Sequence, residues 1–436
     1  MISKLWVVIM GLLLSFTVNA SPTIDHWQTV NGGQVYYVYT PELPMVDVQV
    51  IFDAAAARDG KLAGVSLLTN AMLNEGAAGM TADQVAAAFD DVGAQFGNTS
   101  QRDMAVLSMR SLIADNALKP ALDVFGKVLA QPDFPQASFQ RIQKQLLLSL
   151  QAENQSPGAI ASRRFYHALY VNHPYGTIPS GQVETVSAIT VDDLKQFYKR
   201  YYVAKNAVVV IVGALDKSQA NDVANELLSQ LPEGNKAEQL AKVEPLHSAQ
   251  TIHIDFPSTQ THIVMGQPGM SRDDDDYFAL YIGNHILGGS GLVSQLSNEI
   301  REKRGLSYSV YSYFRPMREL GPFQLALQTR NDQAQQALDI MKNTLSSFIK
   351  NGPTDDELLA AKQNISGGFA LRVDSNKKIA DYLAMIGFYG LPLDYLDNFI
   401  DKVNAVTKQQ IKDAFSRRVN PDKMVTILVG GEAETK

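Results

Sequence analysis

The chain contains an internal repeat, in which residues 190–213 and residues 407–430 align without a gap. Each copy begins with a threonine, Thr190 or Thr407, that can cap the amino terminus of the amphipathic helix that follows it. A continuous apolar run then predicts a buried strand, and each run ends at a glycine. Because each copy lies near the end of one half of the sequence, the repeat predicts a duplicated domain of about 210 residues.

The domain organisation follows from the length and from one polar stretch. A chain of 436 residues is longer than a single hydrophobic core usually organises, which favours two domains. The expected linker is the stretch 232–250, which contains Pro232 and Pro245 and separates a first domain at 21–231 from a second at 251–436. In each half, predicted strands and long helices cluster instead of alternating strictly. We therefore expect an α+β fold of two homologous layered domains.

The amino terminus has the pattern of a secretory signal peptide over residues 1–20. It combines Lys4 in a positive segment, an apolar stretch at 5–16 and a small-residue end at Ala20, so cleavage is expected before Ser21. An uncleaved membrane anchor is the alternative, but the apolar stretch is short for ~30 Å of hydrocarbon. The chain has no cysteine, which excludes disulfides and a cysteine-linked lipid anchor. These features predict a periplasmic protein with no membrane anchor after cleavage.

The charge distribution argues against a nucleic-acid partner. The formal net charge is −7, and the basic residues do not gather into one stripe. Long-range attraction to nucleic acid or to anionic lipid therefore has no obvious source.

Several segments together resemble the pitrilysin/insulinase family of zinc metallopeptidases. They read GVSLLTNAMLNEG at 64–76, TADQVAAAFDDVGAQFGNTSQRDMAVLSM at 81–109, HPYGTIPSGQ at the start of 173–213, and LGGSGLVSQLSNEIREKRGLSYSVYSYF at 287–314. The resemblance covers nearly the whole chain after the predicted signal peptide. It implies two similar α+β domains of the LuxS/metallohydrolase-like type joined by a linker, which agrees with the duplication.

The zinc motif of that family is missing here. Active members carry His-x-x-Glu-His on the first helix, where the histidines bind zinc and the glutamate takes a proton from zinc-bound water. The aligned positions hold Leu67 and Ala71 in place of the histidines and Asn70 in place of the glutamate. The third ligand, a glutamate on a later helix, falls at Leu148 or Ser149. We therefore expect this chain to have no metal site, no cofactor and no catalytic residue of its own.

Other residues that might bind a metal or an anion have simpler interpretations. The seven histidines form no i,i+4 pair, and His253 and His262, facing each other across a hairpin, would still lack a third ligand. The acidic run 273–276 precedes a predicted helix, where carboxylates offset the helix dipole, and its spacing is not that of an EF-hand. The glycine-rich stretch 288–291 is expected to be a turn between helices, with backbone binding of a peptide or anion as the alternative.

The resemblance also implies a pair of substrate-binding residues. In the family's second domain an arginine and a tyrosine reach the zinc site, and the segment REKRGLSY places them at Arg301 and Tyr308. Here we predict a helix at 292–303, Gly305 in the left-handed position that ends it, and a strand that starts at Leu306 and carries the tyrosine. Both side chains donate hydrogen bonds that would hold a peptide carbonyl. Alternatively, the arginine is only a helix-end cation and the tyrosine a half-buried strand aromatic.

The pattern of losses and retained residues predicts a divided function. Some members of the family split the work between two chains of this size, one with the zinc motif and one with the arginine–tyrosine pair. This sequence matches the second type, a non-catalytic subunit of a secreted zinc metallopeptidase. Its partner would be a homologous subunit with His-x-x-Glu-His and zinc, and its substrates unfolded or short peptides. The alternative is a non-enzymatic periplasmic peptide-binding or scaffolding protein from the same family; a self-sufficient metallopeptidase is not expected.

Overall fold

A computed structural model describes residues 23–431, so the predicted signal peptide at 1–20 lies outside the described residues. Most of the strands form two mixed sheets, one in each half of the chain. The strands of the first half are β1 Asp25–Gln28, β2 Gln34–Tyr39, β3 Met45–Phe52, β4 Gly76–Ala77, β5 Met80–Thr81, β6 Gln95–Ser100, β7 Ala105–Leu112 and β8 Ala207–Gly213. Those of the second half are β9 Gln250–Ile254, β10 Gln260–Pro268, β11 Val310–Phe314, β12 Pro322–Arg330 and β13 Val425–Val429.

Helices make up most of the remaining regular structure. Those of the first half are α1 Val65–Met72, α2 Ala82–Asp90, α3 Asp115–Ala130, α4 Gln136–Glu153, α5 Pro157–Leu169, α6 Val183–Ala188, α7 Val191–Tyr201 and α8 Lys217–Ser229. Those of the second half are α9 Tyr277–Asn284, α10 Ala334–Asn351, α11 Asp355–Gly367, α12 Asn376–Tyr389, α13 Phe399–Ala405 and α14 Lys408–Arg418. Two wider π-helical stretches, His285–Gly289 and Ser297–Glu302, follow α9. No helix within the described chain has both the length and the apolar character needed to cross a membrane.

The two sheets have the same strand order, apart from one additional edge strand in the first. The first sheet runs β1-β2-β8-β3-β7-β6 and the second runs β9-β13-β10-β12-β11. In each sheet the pair formed by the last strand of the half and its outer neighbour is parallel, β8 with β2 and β13 with β9. The sequence repeat corresponds to α7–β8 and α14–β13, which take equivalent places. The prediction of two homologous α+β domains is therefore confirmed.

The two helices of the repeat begin in the same way. The Thr190 hydroxyl accepts a hydrogen bond from the Asp193 backbone N–H at 3.3 Å, and the Thr407 hydroxyl accepts one from Gln410 N–H at 3.2 Å. In both cases the third side chain of the helix reaches back to the threonine N–H, which completes a capping box. The predicted caps at both threonines are confirmed.

The two strands of the repeat end at glycines for the same steric reason. Gly213 has φ +153° and Gly430 has φ +145°, in a backbone region that other residues rarely adopt. A Cβ at Gly213 would lie 2.3 Å from the carbonyl oxygen of Met45, and a Cβ at Gly430 would lie 2.4 Å from that of Gln260. The adjacent strand thus approaches too closely for a side chain in both domains.

The two halves interlock by exchanging a helix. α5 of the first half packs on the second sheet against β10 and β13, while α12 of the second half packs on the first sheet against β2, β3 and β8. The backbones approach closely at both places. A Cβ at Gly266 would lie 2.9 Å from the Phe165 ring of α5, and a Cβ at Gly387 of α12 would lie 2.7 Å from the Tyr36 ring. Each sheet therefore has one face covered by the other half of the chain.

A buried carboxylate joins the halves at a second place. Asp103 lies in the turn between β6 and β7, and its Oδ1 accepts a hydrogen bond from the Tyr175 hydroxyl at 2.7 Å. Its Oδ2 accepts hydrogen bonds from the second half, from Arg318 N–H at 2.9 Å and from the Tyr389 hydroxyl at 3.1 Å. These three donors satisfy the buried carboxylate and fix the turn between β11 and β12 against the turn between β6 and β7.

The segment expected to link the domains carries no helix or strand between α8 and β9, within the described chain. Part of it is nevertheless anchored. Val243 is buried with side chains of both halves, and the His173 Nε2 lies 2.9 Å from the carbonyl oxygen of Ala241. Lys242 forms an ion pair with Glu319 at 3.2 Å. The segment therefore follows the protein surface and packs against it.

Candidate functional site

The site begins at helix α1, where the metal ligands of a zinc peptidase would lie. The carboxylate of Asp59 accepts hydrogen bonds from Gly64 N–H at 2.7 Å and from Ser66 N–H at 3.0 Å, which caps the amino terminus of α1. Desolvation on burial raises the pKa of Asp59 to about 7, although these two hydrogen bonds act in the opposite direction. The start of α1 is therefore held by a titratable group.

The motif positions on α1 hold no side chain that fits zinc. Leu67 and Ala71 lie one helical turn apart on the partly exposed face, and neither has a donor atom. Asn70 is only 2% exposed, and its Nδ2 donates a hydrogen bond to the hydroxyl of the fully buried Tyr202 at 3.4 Å. A neutral amide has no carboxylate with which to take a proton from water. These residues do not fit a zinc ion.

The positions expected for the third ligand give the same result. Leu148 and Ser149 lie on α4, where both are exposed. Within residues 23–431, no group of three or more His, Cys, Asp or Glu side chains is arranged to hold a metal ion. The donor chemistry of the family's zinc site is thus missing from both helices that would provide it.

Amide groups occupy the space beside the former motif. Asn98, on the edge strand β6, donates from Nδ2 to the carbonyl oxygen of Asn70 at 2.6 Å and to the Asn74 Oδ1 at 3.3 Å. Sequence reasoning missed this cluster because β6 reads QFGNTS, which lacks the apolar alternation that predicts a strand. The resulting surface offers amide donors and acceptors next to an unpaired strand edge.

The structure brings Arg301 and Tyr308 together. The Arg301 guanidinium carbon lies 4.7 Å from the centroid of the Tyr308 ring, within the range of a cation–π contact. The Arg301 Nε also lies 3.4 Å from the Glu302 carboxylate. Tyr308 is 81% exposed, so the alternative of a half-buried strand aromatic is wrong. The two side chains form one accessible group of hydrogen-bond donors.

The local structure around this pair is partly as predicted. Gly305 has φ +62° and its N–H donates to the Arg301 carbonyl oxygen at 2.8 Å, so the predicted helix end is confirmed. The predicted strand from Leu306 is wrong in its start, because β11 begins at Val310 and Tyr308 lies in the preceding loop. The reason is local: the Ser307 hydroxyl donates to backbone carbonyls and replaces ladder hydrogen bonds.

The structure also bears on the predictions made for the two strand histidines, the acidic run and the glycine-rich stretch. His253 and His262 do not face each other, because β13 lies between their strands. Within the acidic run 273–276, Asp274 and Asp276 form ion pairs with Arg417 and Arg418 of α14, instead of only preceding a helix. In the stretch 288–291, a Cβ at Gly288 would lie 2.4 Å from the Ser312 Oγ. That glycine is therefore required for close packing of the π-helical turn on β11.

Comparison with known proteins agrees with this geometry. The family profile described as insulinase, peptidase family M16, matches residues 34–180, and the profile described as peptidase M16 inactive domain matches residues 188–365. The crystal structure of a peptidase M16 inactive domain from Pseudomonas fluorescens is 40% identical in sequence and superimposes with a TM-score of 0.92. The match covers 95% of this chain and 99% of that one.

Two curated relatives have related descriptions. An uncharacterized zinc protease of Streptomyces coelicolor is 25% identical over 360 residues, which cover 80% of this chain and 77% of that protein. The non-peptidase homolog YmxG of Helicobacter pylori is 24% identical over 418 residues, 94% of this chain and 95% of that protein.

The fold is that of a zinc-peptidase homologue, and the positions predicted for the metal motif on α1 hold side chains that do not bind zinc. The chain belongs to the M16, or insulinase, family of peptidases, and the predicted resemblance to that family is confirmed. Its second half matches the profile described as the inactive domain of that family, and the similar structure from Pseudomonas fluorescens has the same description.

Proposed function

We propose that this chain is the non-catalytic subunit of a secreted zinc metallopeptidase and binds peptide substrate for a partner that bears His-x-x-Glu-His. One observation carries the proposal: the Arg301 guanidinium lies over the ring of the exposed Tyr308, on a chain whose described residues include no group of three or more His, Cys, Asp or Glu side chains that could hold a metal ion. A pair of donors suited to a peptide carbonyl contributes to hydrolysis only if a second polypeptide supplies the metal. A homologous subunit of similar size meets that requirement.

The chemistry of the pair suits this role. A guanidinium donates up to five hydrogen bonds in a fixed fork, and a phenol donates one. The contact of Arg301 with the Tyr308 ring places the two side chains beside each other. There they would hold a substrate carbonyl and stabilise the oxyanion that forms on it, which is typically worth about 3–4 kcal/mol for each such donor. Zinc on the partner supplies the activated water.

The edge strand β6 gives the proposed substrate a binding surface. β6 pairs with β7 on one side only and ends the first sheet. An extended peptide can add to such an edge through main-chain hydrogen bonds, with side-chain pockets providing specificity. The Asn98 amide lies on this strand, beside the former metal motif. Unfolded or short peptides are the substrate class that fits strand addition.

The proposed location is the periplasm. It rests on the signal-peptide pattern of residues 1–20 and on the absence of cysteine from the sequence. Fractionation of the native host, with detection of a mature chain that begins at Ser21, tests this part of the proposal. A chain that retains residues 1–20 in the membrane fraction would contradict it.

The isolated chain is expected to hold no stoichiometric zinc and to cleave no peptide. The reason is the donor set at Leu67, Asn70 and Ala71, which offers no ligand or base. Metal analysis by mass spectrometry and an assay with a quenched-fluorescence peptide measure both properties. Chelator-sensitive cleavage by a homogeneous preparation would rule out the non-catalytic assignment.

The paired complex tests the substrate-binding residues. Co-purification from the native host identifies the partner, and the complex is then rebuilt with Arg301→Ala or Tyr308→Phe. Each variant is expected to lower kcat/KM by about 10²-fold or more, while the two subunits still elute together. Arg304→Ala and Tyr311→Phe are matched controls, because these exposed side chains lie close by in sequence but outside the pair. Unchanged kinetics in the Arg301 and Tyr308 variants would remove the pair from the site.

The rival function is a non-enzymatic peptide-binding or scaffolding protein of the periplasm. The same purification separates the two functions. Recovery of the chain only with partners that lack His-x-x-Glu-His, in an assembly that cleaves no peptide, would favour the peptide-binding or scaffolding function over the function of a peptidase subunit.

A further inference from the structure

A buried arginine near the end of β6 has no acidic partner. Arg102 is 5% exposed, and its Nη1 donates to the carbonyl oxygens of Tyr175, at 2.6 Å, and Thr177. None of the ion pairs in the described part of the chain includes Arg102 (the neighbouring Asp103 is bonded to Tyr175 and to the second half). Buried charges in proteins are normally paired with an opposite charge, whereas Arg102 has carbonyl oxygens as its hydrogen-bond partners.

The polar atoms around this arginine are also left without partners. The Arg102 guanidinium carbon lies 4.2 Å from the centroid of the Tyr166 ring of α5. The Tyr166 hydroxyl, the Arg102 Nε and the Ser100 Oγ are all buried atoms with no hydrogen-bond partner. Buried polar groups without partners are uncommon in folded proteins. These three atoms lie at the end of β6, in the turn that follows it and on α5.

A second, exposed arginine lies close to this group. Arg315 follows β11, and its side chain takes part in no ion pair or hydrogen bond found among the described residues. The turn that it starts is fixed against the β6–β7 turn by the bond from Arg318 N–H to Asp103. Desolvation lowers the pKa of Arg102, and the nearby charge of Arg315 acts in the same direction. The charge of Asp103 acts on Arg102 in the opposite direction.

We propose that Arg315 and Arg102, with the Tyr166 hydroxyl, form a carboxylate-binding subsite at the Ser100 end of β6. The inference rests on the proposed binding of a peptide strand at the edge of β6. Arg315 is the exposed member that contacts the ligand, and Arg102 adds its buried charge. A hydrogen bond between charged groups is stronger than a neutral one, and the positive potential repels a terminal ammonium group. The carboxylate is either the carboxyl terminus of the peptide or an acidic side chain near its end.

Calorimetric titration of the full chain with matched peptides tests the subsite. The probes are N-acetylated peptides of six alternating valine and threonine residues, the length of β6. One pair compares a free carboxyl terminus with an amide, and a second compares an amidated peptide ending in glutamate with one ending in glutamine. The charged member of at least one pair is expected to bind about tenfold more tightly. The pair that responds identifies the source of the carboxylate.

The variant Arg315→Gln is expected to abolish that preference and to leave the affinity for the neutral peptides unchanged. Because Arg315 is exposed and unpaired, the substitution should not disturb folding. Arg330→Gln is the matched control, since Arg330 is an exposed arginine that pairs with Asp332 at the far end of β12. Tyr166→Phe, which removes only the buried hydroxyl, is expected to reduce the preference several-fold.

Three results would overturn the subsite. Equal affinity of the wild-type chain for charged and neutral peptides would leave strand addition at β6 intact and remove the carboxylate site. A preference that persists in Arg315→Gln would do the same. If no peptide of either kind binds, the proposed peptide-binding function fails first, and the subsite fails with it.

Discussion

At the scale of single residues, side chains on one short helix decide whether this fold holds a metal. Leu67 and Ala71 have no donor atoms, and Asn70 is turned into the protein to meet Tyr202. The backbone geometry of α1 is retained, because Asp59 caps its first N–H groups. Helix α1 thus forms without side chains that bind zinc at the predicted motif positions. Because the capping group is a carboxyl with a raised pKa, the start of α1 is sensitive to pH.

Asp59 is expected to make stability depend on pH. Burial raises the pKa of Asp59 to about 7 in the folded protein, against about 3.9 in an unfolded chain. The folded state therefore holds this proton more tightly, and its contribution to stability is present below pH 4 and is lost as the pH rises towards and through 7. The loss is on the order of a few kcal/mol at most, because two backbone hydrogen bonds favour the ionised form.

Urea unfolding of the wild type and of Asp59→Asn across this range measures the effect. The difference in unfolding free energy between the two proteins should change with pH between about 4 and 7, in favour of the variant at the higher pH. Asp123→Asn, at an exposed helix position next to Lys127, is the control. A constant difference for Asp59→Asn would show that the carboxylate ionises normally.

At the scale of helices and strands, capping residues and apolar runs in the sequence predicted the helices and strands in which they occur. The caps at Thr190 and Thr407 and the apolar runs behind them were sufficient to place α7–β8 and α14–β13. Helices α5 and α12 were missed, since their buried faces match a sheet in the other half and that partner is not visible locally.

The site was predictable only in part. Arg301 and Tyr308 followed from the resemblance to a family, whereas the Asn98 cluster and the unpaired Arg102 depend on contacts between distant segments. The misplaced start of β11 has a different cause. Leu306 and Tyr308 favour a strand by residue type, but the Ser307 hydroxyl takes up backbone carbonyls before the ladder begins. Propensity alone does not show such competition.

The glycines that end the repeat provide a test of the duplication. Gly213→Ala and Gly430→Ala are expected to lower stability by similar amounts, roughly 2–4 kcal/mol, because each combines an unfavourable φ with a clash against a carbonyl oxygen. Gly60→Ala is the control, since Gly60 has φ +58° and nothing within 4 Å of an added Cβ. It should cost about 1 kcal/mol. Thermal unfolding measures the stability of all three variants. Unchanged stability after substitution of Gly213 or Gly430 would contradict the steric argument.

At the scale of the whole molecule, the exchanged helices make the two domains one folding unit. Each sheet needs a helix from the other half to cover it, and Asp103 accepts two hydrogen bonds across the same boundary. A subunit of this kind presents Arg301, Tyr308 and the β6 edge in a fixed relative position. In the proposed complex, any opening that admits a peptide would then occur between subunits.

Phe165→Ala tests this coupling. The ring lies on α5 of the first half but is fully buried against the second sheet, and its removal is expected to cost about 3–5 kcal/mol. Calorimetry should show one transition that moves as a whole to lower temperature, and hydrogen exchange should lose protection in β8 as well as in β10. Exposed Val171→Ala is the control. Two separate transitions, of which only one responds, would contradict a single folding unit.

The exchange of α5 and α12 also has a consequence for handling the protein. A protease that cuts the surface segment between α8 and β9 would leave two pieces, each still holding a helix seated on the other. The nicked molecule would migrate as an intact particle on a sizing column and would separate only in a denaturing gel. An apparently full-length preparation should therefore be checked under denaturing conditions before its mass is assigned.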